Sequence, residues 1–339
     1  MSDHVYEAAV IGAGPIGLEL AAALKRAGID YVHFDAKQIG HTMTWWAPQT
    51  RFFSSNERIA ISGVPLLTPD QSKATREQYL TYLRTVAETF DLRVNTFEPV
   101  ASVRQNADGY ELVTKPRTGE RTWRAKKVIL CTGGTDRPRY LNVPGEDLPH
   151  VSHYLADPHT YFRQKVLVVG GANSAVEAAL RCHHAGADVS LSYRGDAIPT
   201  GQIKYWLVPE TQGLMKSGRM PAYFKTSVVE ITPSHVALSD GTNVDADFVL
   251  LMTGYVQDNA LLKAAGVPLT GETNQPVYDA DTMETPLPGV YVAGTAVGGT
   301  QDKYKVFIEN CHDHVDKIVR HAFGRNATVN RVTVDAPES

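Results

Sequence analysis

The hydrophobic pattern changes period once within the first part of the chain. Residues 6–11 form a short apolar run of strand length, and Leu18, Leu20 and Leu24 then recur at helical spacing over residues 17–27. Another apolar run, YVHFDA, follows this helix closely. The pattern predicts a β-α-β unit, in which one helix covers a pair of parallel strands.

A similar pattern returns in the middle of the chain. The apolar run VLVVGG begins at Val166, residues 174–184 have helical spacing and end shortly before Gly186, and the strand-like run DVSLSYR follows. The chain has 339 residues, which is more than the ~100–200 residues typical of one domain. The two units therefore predict an α/β protein with two domains, each built on a parallel sheet.

The remaining segments are expected to extend these two sheets. Residues 75–90 have the pattern of a helix, and residues 94–113 alternate as two or three antiparallel strands would. Three further apolar runs, KKVILCTGG, DFVLLMTG and GVYVAGT, each end in a glycine turn. A closing helix is predicted over about residues 310–321.

Composition and charge exclude several classes of protein. The chain is 43% hydrophobic and 21% charged, with a net charge of −4 and scattered Lys and Arg, so no nucleic-acid surface is expected. Polar residues interrupt every apolar run before ~18 residues, so no membrane span or membrane partner is expected. The first strand begins close to residue 1, so no signal peptide is expected. Three cysteines far apart in sequence favour a reducing cytoplasm over a disulfide framework.

The first glycine loop, GAGPIG, carries the strongest chemical signal. Gly12 allows the tight turn after the strand, Gly14 lets the backbone approach a pyrophosphate, and Gly17 lets the helix pack closely on the sheet. The N-terminus of the helix that follows directs its unpaired N–H groups and positive dipole end at the phosphates. Asp35 ends the next strand, where a carboxylate can accept both ribose hydroxyls. This arrangement predicts a dinucleotide site.

The second glycine loop is less regular. Gly170 and Gly171 are present, but alanine occupies the positions of the second and third glycines of the fingerprint. No carboxylate ends the following strand, where Tyr193 and Arg194 stand instead. An arginine there can hold a 2′-phosphate by charge-assisted hydrogen bonds, so the sequence favours NADPH over NADH.

Two dinucleotide sites in one chain indicate a hydride carrier and a flavin that exchange electrons. On these loops and on VILCTGG, FVLLMTGY and GVYVAGT, the sequence resembles the thioredoxin reductase-like flavoprotein reductases over nearly its whole length. The group's late flavin motif usually ends in aspartate, whereas this chain has Thr295.

The resemblance implies two Rossmann-like FAD/NAD(P)-binding domains of the three-layer ββα type, with the NADPH domain inserted in the FAD domain. The expected boundaries are 1–145 and 257–325 for FAD, 146–256 for NADPH, and 326–339 as a tail. The expected FAD residues are Gly12, Gly14, Pro15, Gly17, Asp35, Val100, Thr132, Gly133, Gly294, Thr295 and Phe307. The expected NADPH residues are Gly170, Gly171, Asn173, Ser174, Tyr193, Arg194 and Gly254.

Within this group the sequence is most similar to the YpdA family of bacillithiol disulfide reductases. The matching stretches are FFSSNERIAISGVP, LPHVSHYLADPHTYF, GGANSAVEAAL, YRG, IKYWLVPE and FIEN. The family also lacks the late aspartate, which agrees with Thr295. Its members carry a cysteine inside the first glycine loop, where this chain has Ile16. The chain also lacks the CxxC pair of thioredoxin reductases, having HYLAD at that place, so dithiol relay to thioredoxin is not expected.

The cysteines and histidines offer few catalytic candidates. Cys311 follows FIEN at the start of the last helix, whose N-terminus is expected to face the flavin and to lower a thiol pKa. It is therefore the candidate redox thiol, whereas Cys131 and Cys182 are expected to be structural. The pairs His183/His184 and His312/His314 have the wrong spacing for a shared helical face, so no metal site is expected.

Three classes of function follow from these observations. The leading one is an FAD enzyme, expected to be homo-oligomeric, that passes electrons from NADPH to a disulfide or to another small or protein acceptor such as a ferredoxin. The second is a flavin monooxygenase, although the FxGxxxH run of that class is absent before the second loop. The third is a non-catalytic flavin-binding redox sensor, which the missing loop cysteine suggests.

Overall fold

The computed structural model describes residues 4–301 and 305–327. The first segment contains β1 (Val5–Ile11), α1 (Pro15–Arg26), β2 (Tyr31–Phe34), α2 (His41–Thr44), α3 (Asn56–Ile59), α4 (Arg76–Thr89), β3 (Val100–Asn106), β4 (Gly109–Thr114), β5 (Arg121–Leu130) and β6 (Arg137–Pro138). The middle segment contains β7 (Val151–Ser152), β8 (Lys165–Val169), α5 (Asn173–His184), β9 (Asp188–Tyr193), α6 (Val208–Lys216), β10 (Ala222–Phe224), β11 (Val228–Ile231), β12 (His235–Leu238), β13 (Asn243–Asp245) and β14 (Phe248–Leu251). The last segment contains β15 (Tyr255–Val256), α7 (Ala260–Ala264), β16 (Leu269–Thr270), β17 (Gln275–Pro276), β18 (Val290–Val292) and α8 (His312–Phe323). Short 3₁₀ helices span Pro158–Tyr161, Thr200–Gln202, Gly294–Gly298 and Ile308–Asn310.

The chain divides into two compact units. One holds the described residues up to Thr44 together with Gln49–Arg137 and those from Val256 onward; the other holds Trp45–Pro48 and Pro138–Tyr255. The side chains of residues 141 and 143 pack against the core of the second unit. The expected domain bounds remain predictions.

The first unit is built on a six-stranded sheet. Five strands follow the order β2-β1-β5-β4-β3, and the sixth, β18, also pairs with β5. β5 is long enough to have two partners on one edge: its first half pairs antiparallel with β4, and its last residues pair in parallel with β18. The strands β1, β2, β5 and β18 run in parallel, so their carboxyl ends lie along one edge of the sheet. A segment near the end of the chain therefore reaches the first glycine loop.

Helices cover the apolar faces of this sheet. α1 buries residues 16–24 completely or nearly so, because alanine and leucine let it lie close to the strands. α4 begins with a capping box at Thr75, whose hydroxyl accepts from the Gln78 N–H. The core of the unit combines β1, β5 and β18 with Val315, Ile318 and Val319 of α8.

The second unit has a five-stranded parallel sheet in the order β10-β9-β8-β14-β7 and a three-stranded antiparallel sheet, β11-β12-β13. α5 covers one face of the parallel sheet with its small buried residues, and the antiparallel sheet packs on hydrophobic residues of β8 and β14. The second glycine loop joins β8 to α5 at the carboxyl edge of the parallel strands. No helix among the described residues is long and apolar enough to cross a membrane.

Candidate functional site

Three turns leave the first sheet side by side at its carboxyl edge. Cys131 N–H donates to Ile11 O at 2.7 Å, and Ala293 N–H donates to Leu130 O at 3.0 Å. These bonds hold the first glycine loop next to the turn after β5, and that turn next to the one after β18. The predicted residues brought together in this way are Gly12, Gly14, Pro15, Gly17, Thr132, Gly133, Gly294 and Thr295.

The three glycines of the first loop meet different steric demands. A β-carbon at Gly12, where φ is +107°, would lie 2.2 Å from Cys131 O, and one at Gly17 would lie 1.9 Å from Gly12 O. Both positions therefore require glycine for the loop to pack on the sheet. A β-carbon at Gly14 meets no atom within 4 Å. The open space at Gly14 lies at the N-terminus of α1, where unpaired N–H groups attract phosphate.

Asp35 fixes the shape of this loop. Its Oδ2 accepts from Ala13 N–H at 2.7 Å and its Oδ1 accepts from Lys37 N–H at 2.7 Å. An ionised carboxylate has about four acceptor positions, so further donors can still bind it. Glu98 N–H donates to the backbone oxygen of Asp35 at 3.0 Å, which places the segment leading into β3, whose first residue is Val100, beside the end of β2.

A buried glutamine, Gln257, ties the other two turns together. Its side-chain amide donates to Gly133 O at 2.8 Å and to Ala296 O at 2.9 Å. Beside it, the Thr132 hydroxyl is buried and has no hydrogen-bond partner among the described residues. A buried hydroxyl without a partner, an open glycine and a ribose-type carboxylate at one sheet edge fit the binding of FAD.

The remaining predicted flavin residue, Phe307, precedes the 3₁₀ turn Ile308–Asn310 that leads into α8. Its N–H donates to Asn310 Oδ1 at 2.8 Å. The helix that follows packs on α1, where His312 Nδ1 lies 2.7 Å from the buried Glu19 carboxylate. The chain segment with Phe307 is thus anchored to the helix of the first glycine loop.

The expectation that Cys311 has a lowered pKa is wrong. Cys311 is completely buried, and burial raises its pKa well above the usual value, with Asp313 adding to the effect. Burial also raises the pKa of Cys131 to about 12. A thiol that stays protonated is a poor nucleophile, so the structure gives no physical support for Cys311 as a redox thiol.

Cys182 and the loop residue Ile16 are buried as well. Burial raises the pKa of Cys182, in α5, to about 12. Ile16 is 4% exposed and packs on the turn after β18, since a β-carbon at Gly294 would lie 3.2 Å from its Cβ. Within the described chain, therefore, no cysteine reaches the surface and the loop position holds an inert hydrocarbon.

His314 holds the turn after β18 from the side of α8. Gly294 N–H donates to His314 Nδ1 at 3.1 Å, which requires that nitrogen to be unprotonated. Burial lowers the pKa of His314 to about 4; Asp313 opposes the shift, and Lys317 and His312 add to it. The imidazole is therefore neutral at pH 7.

Acidification is expected to weaken the fold through His314. The unfolded imidazole takes up a proton below pH ~6.5, whereas the folded one does so only near pH 4, so its contribution is complete above pH 6.5 and is lost as the pH falls towards 4. The loss amounts to at most about 3 kcal/mol of unfolding free energy. Urea unfolding between pH 7 and pH 4 measures it. His314→Asn keeps an acceptor for Gly294 and does not titrate, so an equally steep loss in that variant would contradict the assignment.

The second glycine loop is shaped by an aromatic ring. A β-carbon at Gly171 would lie 2.6 Å from the Tyr193 ring, and one at Gly195 would lie 2.4 Å from it. Gly170 has a φ of +139°, and a β-carbon there would lie 2.4 Å from Met252 O. The loop therefore fits closely between Tyr193 and the end of β14, two residues before Gly254.

The start of α5 is held by a lysine that the sequence pattern does not indicate. Asn173 Oδ1 accepts from Lys204 N–H at 2.6 Å, and Lys204 Nζ lies 2.8 Å from Glu177 Oε2. Ser174, the second residue of the helix, is exposed. Arg194 is also exposed and directly follows β9. The predicted residues of this loop thus share the carboxyl edge of the second sheet.

Lys204, Gln257 and His314 were not predicted as site residues, because each acts on a turn far away in sequence. Gln257 follows the apolar run of β14, and its polarity alone gives no partner. The sequence pattern singles out His314 only as a possible metal ligand. No group of three or more metal-ligating side chains lies together in the part of the chain that the structure describes.

The pyridine nucleotide-disulphide oxidoreductase family matches residues 9–294, which cover both glycine loops and end at Gly294, just after β18. The chain belongs to this family.

Relatives of the family support the resemblance found in the sequence. Bacilliredoxin reductase Bdr of Bacillus subtilis is 36% identical over 312 residues, covering 91% of this chain and 94% of its own. The structure of the bacillithiol disulfide reductase Bdr (YpdA) from Bacillus cereus matches with a TM-score of 0.89 and 35% identity, covering 94% of this chain and 99% of that one. A ferredoxin-NADP reductase of Ignicoccus hospitalis is 26% identical, covering 85% of this chain and 89% of its own.

These matches confirm several predictions. The fold is that of the thioredoxin reductase-like two-dinucleotide flavoproteins, and the YpdA resemblance is correct. As a member of this family the chain is an oxidoreductase that depends on FAD and NADPH. The residues that hold each cofactor remain predictions, and so does the acceptor.

Proposed function

We propose that this enzyme reduces a low-molecular-weight disulfide of the bacillithiol type with NADPH. The balanced reaction converts NADPH, a proton and one disulfide into NADP⁺ and two thiols. The observation that carries the proposal is the match, over nearly the whole of both chains, to relatives named bacilliredoxin reductase and bacillithiol disulfide reductase. The open glycine loop and the orphaned Thr132 hydroxyl support it, because they fit the flavin through which such enzymes work.

The chain's own residues would hold FAD at the carboxyl edge of the first sheet and NADPH at the carboxyl edge of the second. Bound FAD would accept a hydride from NADPH and release electrons to the acceptor. Gly14 and the N-terminus of α1 would bind its pyrophosphate, Asp35 its ribose, and Thr132 one polar group of the flavin. The NADPH pyrophosphate would lie at the N-terminus of α5, with Arg194 toward the adenosine ribose.

The burial of the cysteines bears on how electrons leave the enzyme. Ile16 cannot form a mixed disulfide, and Cys131 and Cys311 are buried with raised pKa values. We therefore propose that none of these cysteines exchanges with the substrate disulfide.

Removing the cysteines is expected to leave turnover within about twofold of the unaltered enzyme, since buried protonated thiols contribute little to disulfide exchange. The variant combines Cys131→Ala, Cys182→Ala and Cys311→Ala, and its rate per bound flavin is compared with that of the unaltered protein. If the cavities prevent folding, iodoacetamide labelling of the native NADPH-reduced enzyme gives the same information. Loss of activity with labelling of one cysteine would refute the proposal.

The reaction itself is tested by reducing the flavin with NADPH under anaerobic conditions and adding acceptors one at a time. Bacillithiol disulfide is expected to reoxidise the flavin in repeated turnovers, with two thiols formed for each NADPH. Glutathione disulfide and cystine show how selective the site is for the thiol. Failure of every disulfide would end the proposal.

Ferredoxin is the second candidate acceptor. The burial of the cysteines favours it, because a one-electron acceptor needs no thiol on the enzyme, and one relative is named ferredoxin-NADP reductase. Faster reoxidation by ferredoxin than by any disulfide would select this function. Oxygen consumption coupled to hydroxylation of an organic substrate would instead indicate a monooxygenase.

We further propose that the enzyme works in a reducing cytoplasm as a homo-oligomer. The location agrees with three buried cysteines that form no disulfide with one another. Light scattering of the purified protein measures the assembly.

A further inference from the structure

We propose that Lys225 joins Arg194 in recognising the 2′-phosphate of NADPH, so that two cations from adjacent strands decide between NADPH and NADH. The inference rests on the NADPH dependence of the proposed function. It adds a specificity residue from a strand that lies outside the second β-α-β unit.

Strand register places the two cations next to each other. β10 runs parallel to β9 with Phe224 opposite Tyr193, so Lys225 and Arg194 are the residues that leave the sheet at neighbouring positions. Neighbouring strands lie only ~4.8 Å apart, which is well within the reach of both long side chains. Lys225 is 31 positions beyond Arg194 in sequence, and no local pattern joins them.

The turn that carries Lys225 is fastened to the end of β9. Lys225 N–H donates to Gly195 O at 2.9 Å, and the Thr226 hydroxyl lies 3.0 Å from the Ser192 hydroxyl in a buried contact. Lys225 has a φ of +56°, in the left-handed region that side chains other than glycine and asparagine seldom adopt. The bond to Gly195 O keeps the backbone of this lysine in an unfavourable conformation next to the end of β9.

The two cations have no anionic partner within the described residues. Arg194 and Lys225 are both exposed, and no ion pair or side-chain hydrogen bond engages either in that part of the chain. The acid nearest to Arg194 in sequence, Asp196, is exposed as well and forms no ion pair with either cation. Two adjacent like charges repel each other, and a phosphate dianion bound between them removes that cost. A guanidinium binds phosphate through paired donors and an ammonium acts as a point charge, so the two complement each other.

The position also suits the adenosine end of a dinucleotide. Tyr193 packs against Gly171 of the second glycine loop, and Arg194 directly follows Tyr193. The residue after the second strand of such a unit is where the adenosine ribose lies. A phosphate on its 2′ oxygen would meet Arg194, which directly follows β9, and Lys225, which directly follows β10.

Binding of 2′,5′-ADP and of 5′-AMP to the purified flavoprotein, measured by calorimetry, tests the inference, because only the first carries a 2′-phosphate. Lys225→Ala is expected to weaken 2′,5′-ADP about tenfold, as for the loss of one charge-assisted contact, and to leave 5′-AMP unchanged. Lys225→Arg should retain most of the preference. Lys216→Ala is the matched control: it removes an exposed lysine from the end of α6, before the start of β10, and should change neither ligand.

The outcomes separate this inference from the function on which it rests. If the unaltered protein binds both ligands equally, the NADPH assignment falls and this inference falls with it. If Arg194→Ala loses the preference and Lys225→Ala keeps it, only the role of Lys225 is refuted. Should Lys225→Ala fold poorly, Lys225→Gly relieves the positive φ; it should be at least as stable as the unaltered protein and still lose the preference.

Discussion

Gly14→Ala is expected to leave the fold intact and to weaken FAD binding about 100-fold or more, the upper range for inserting a methyl group into a closely packed contact. Its β-carbon would meet no protein atom within 4 Å, and its φ of −74° suits any residue. The methyl group would instead occupy the space that the pyrophosphate needs. The variant should purify colourless, and its apoprotein should unfold at the same urea concentration as the unaltered apoprotein.

Gly213→Ala is the matched control for this change. A β-carbon at Gly213, in α6, also meets no atom within 4 Å, and no dinucleotide is expected there. This variant should retain its flavin. By contrast, Gly17→Ala should damage the fold itself, because its β-carbon would lie 1.9 Å from Gly12 O. A yellow Gly14→Ala protein with unchanged FAD affinity would refute the assignment of the first loop.

Asp35→Ala should weaken FAD by about 1.5–3 kcal/mol, or roughly 10- to 150-fold, as expected for the loss of hydrogen bonds to a charged group. The carboxylate would accept the ribose hydroxyls, and it also holds Ala13 N–H and Lys37 N–H. The substitution therefore removes a ligand contact and a loop contact together. Fluorescence titration of the apoprotein with FAD measures the first, and urea unfolding of the apoprotein measures the second.

Asp30→Ala serves as the comparison for Asp35→Ala. Asp30 stands at the other end of the same strand, exposed, where its carboxylate lies 2.6 Å from His4 Nε2. Its removal should leave FAD affinity unchanged. If Asp35→Ala loses stability but binds FAD as well as the Asp30→Ala variant does, Asp35 is a structural residue only.

The structure also changes the view of how this enzyme delivers electrons. A thiol relay requires an accessible thiolate, and burial raises the pKa of Cys131 and Cys311. At the loop position where members of the YpdA family carry a cysteine, this chain has Ile16, a buried hydrocarbon. The identity of the acceptor therefore depends on which molecules can approach the flavin. Adding acceptors one at a time to the NADPH-reduced enzyme measures this directly.

The parts of the site whose interactions are local can be predicted from the sequence pattern alone. Gly12, Gly14 and Gly17 lie within one turn between a strand and a helix, so their spacing alone predicts their packing. The same holds for the second loop and for the helices that the sequence predicts, α1, α4, α5 and α8. The structure places their bounds within about two residues of the predicted ones, because hydrophobic period and capping residues act over a few positions.

The segments that complete each site are distant in sequence and come together only through the order of the strands and the packing of the helices. Pairing of β18 with the end of β5 brings Gly294 beside the first loop, and His314 and Gln257 then fasten the turns across it. The register of β10 on β9 likewise sets Lys225 beside Arg194. Sequence patterns could not supply these partners, because a hydrogen bond or strand pair between remote residues depends on how the whole sheet is ordered. The position of Cys311 before a helix predicted a lowered pKa, but its burial in the core of the first unit raises the pKa and outweighs this local effect.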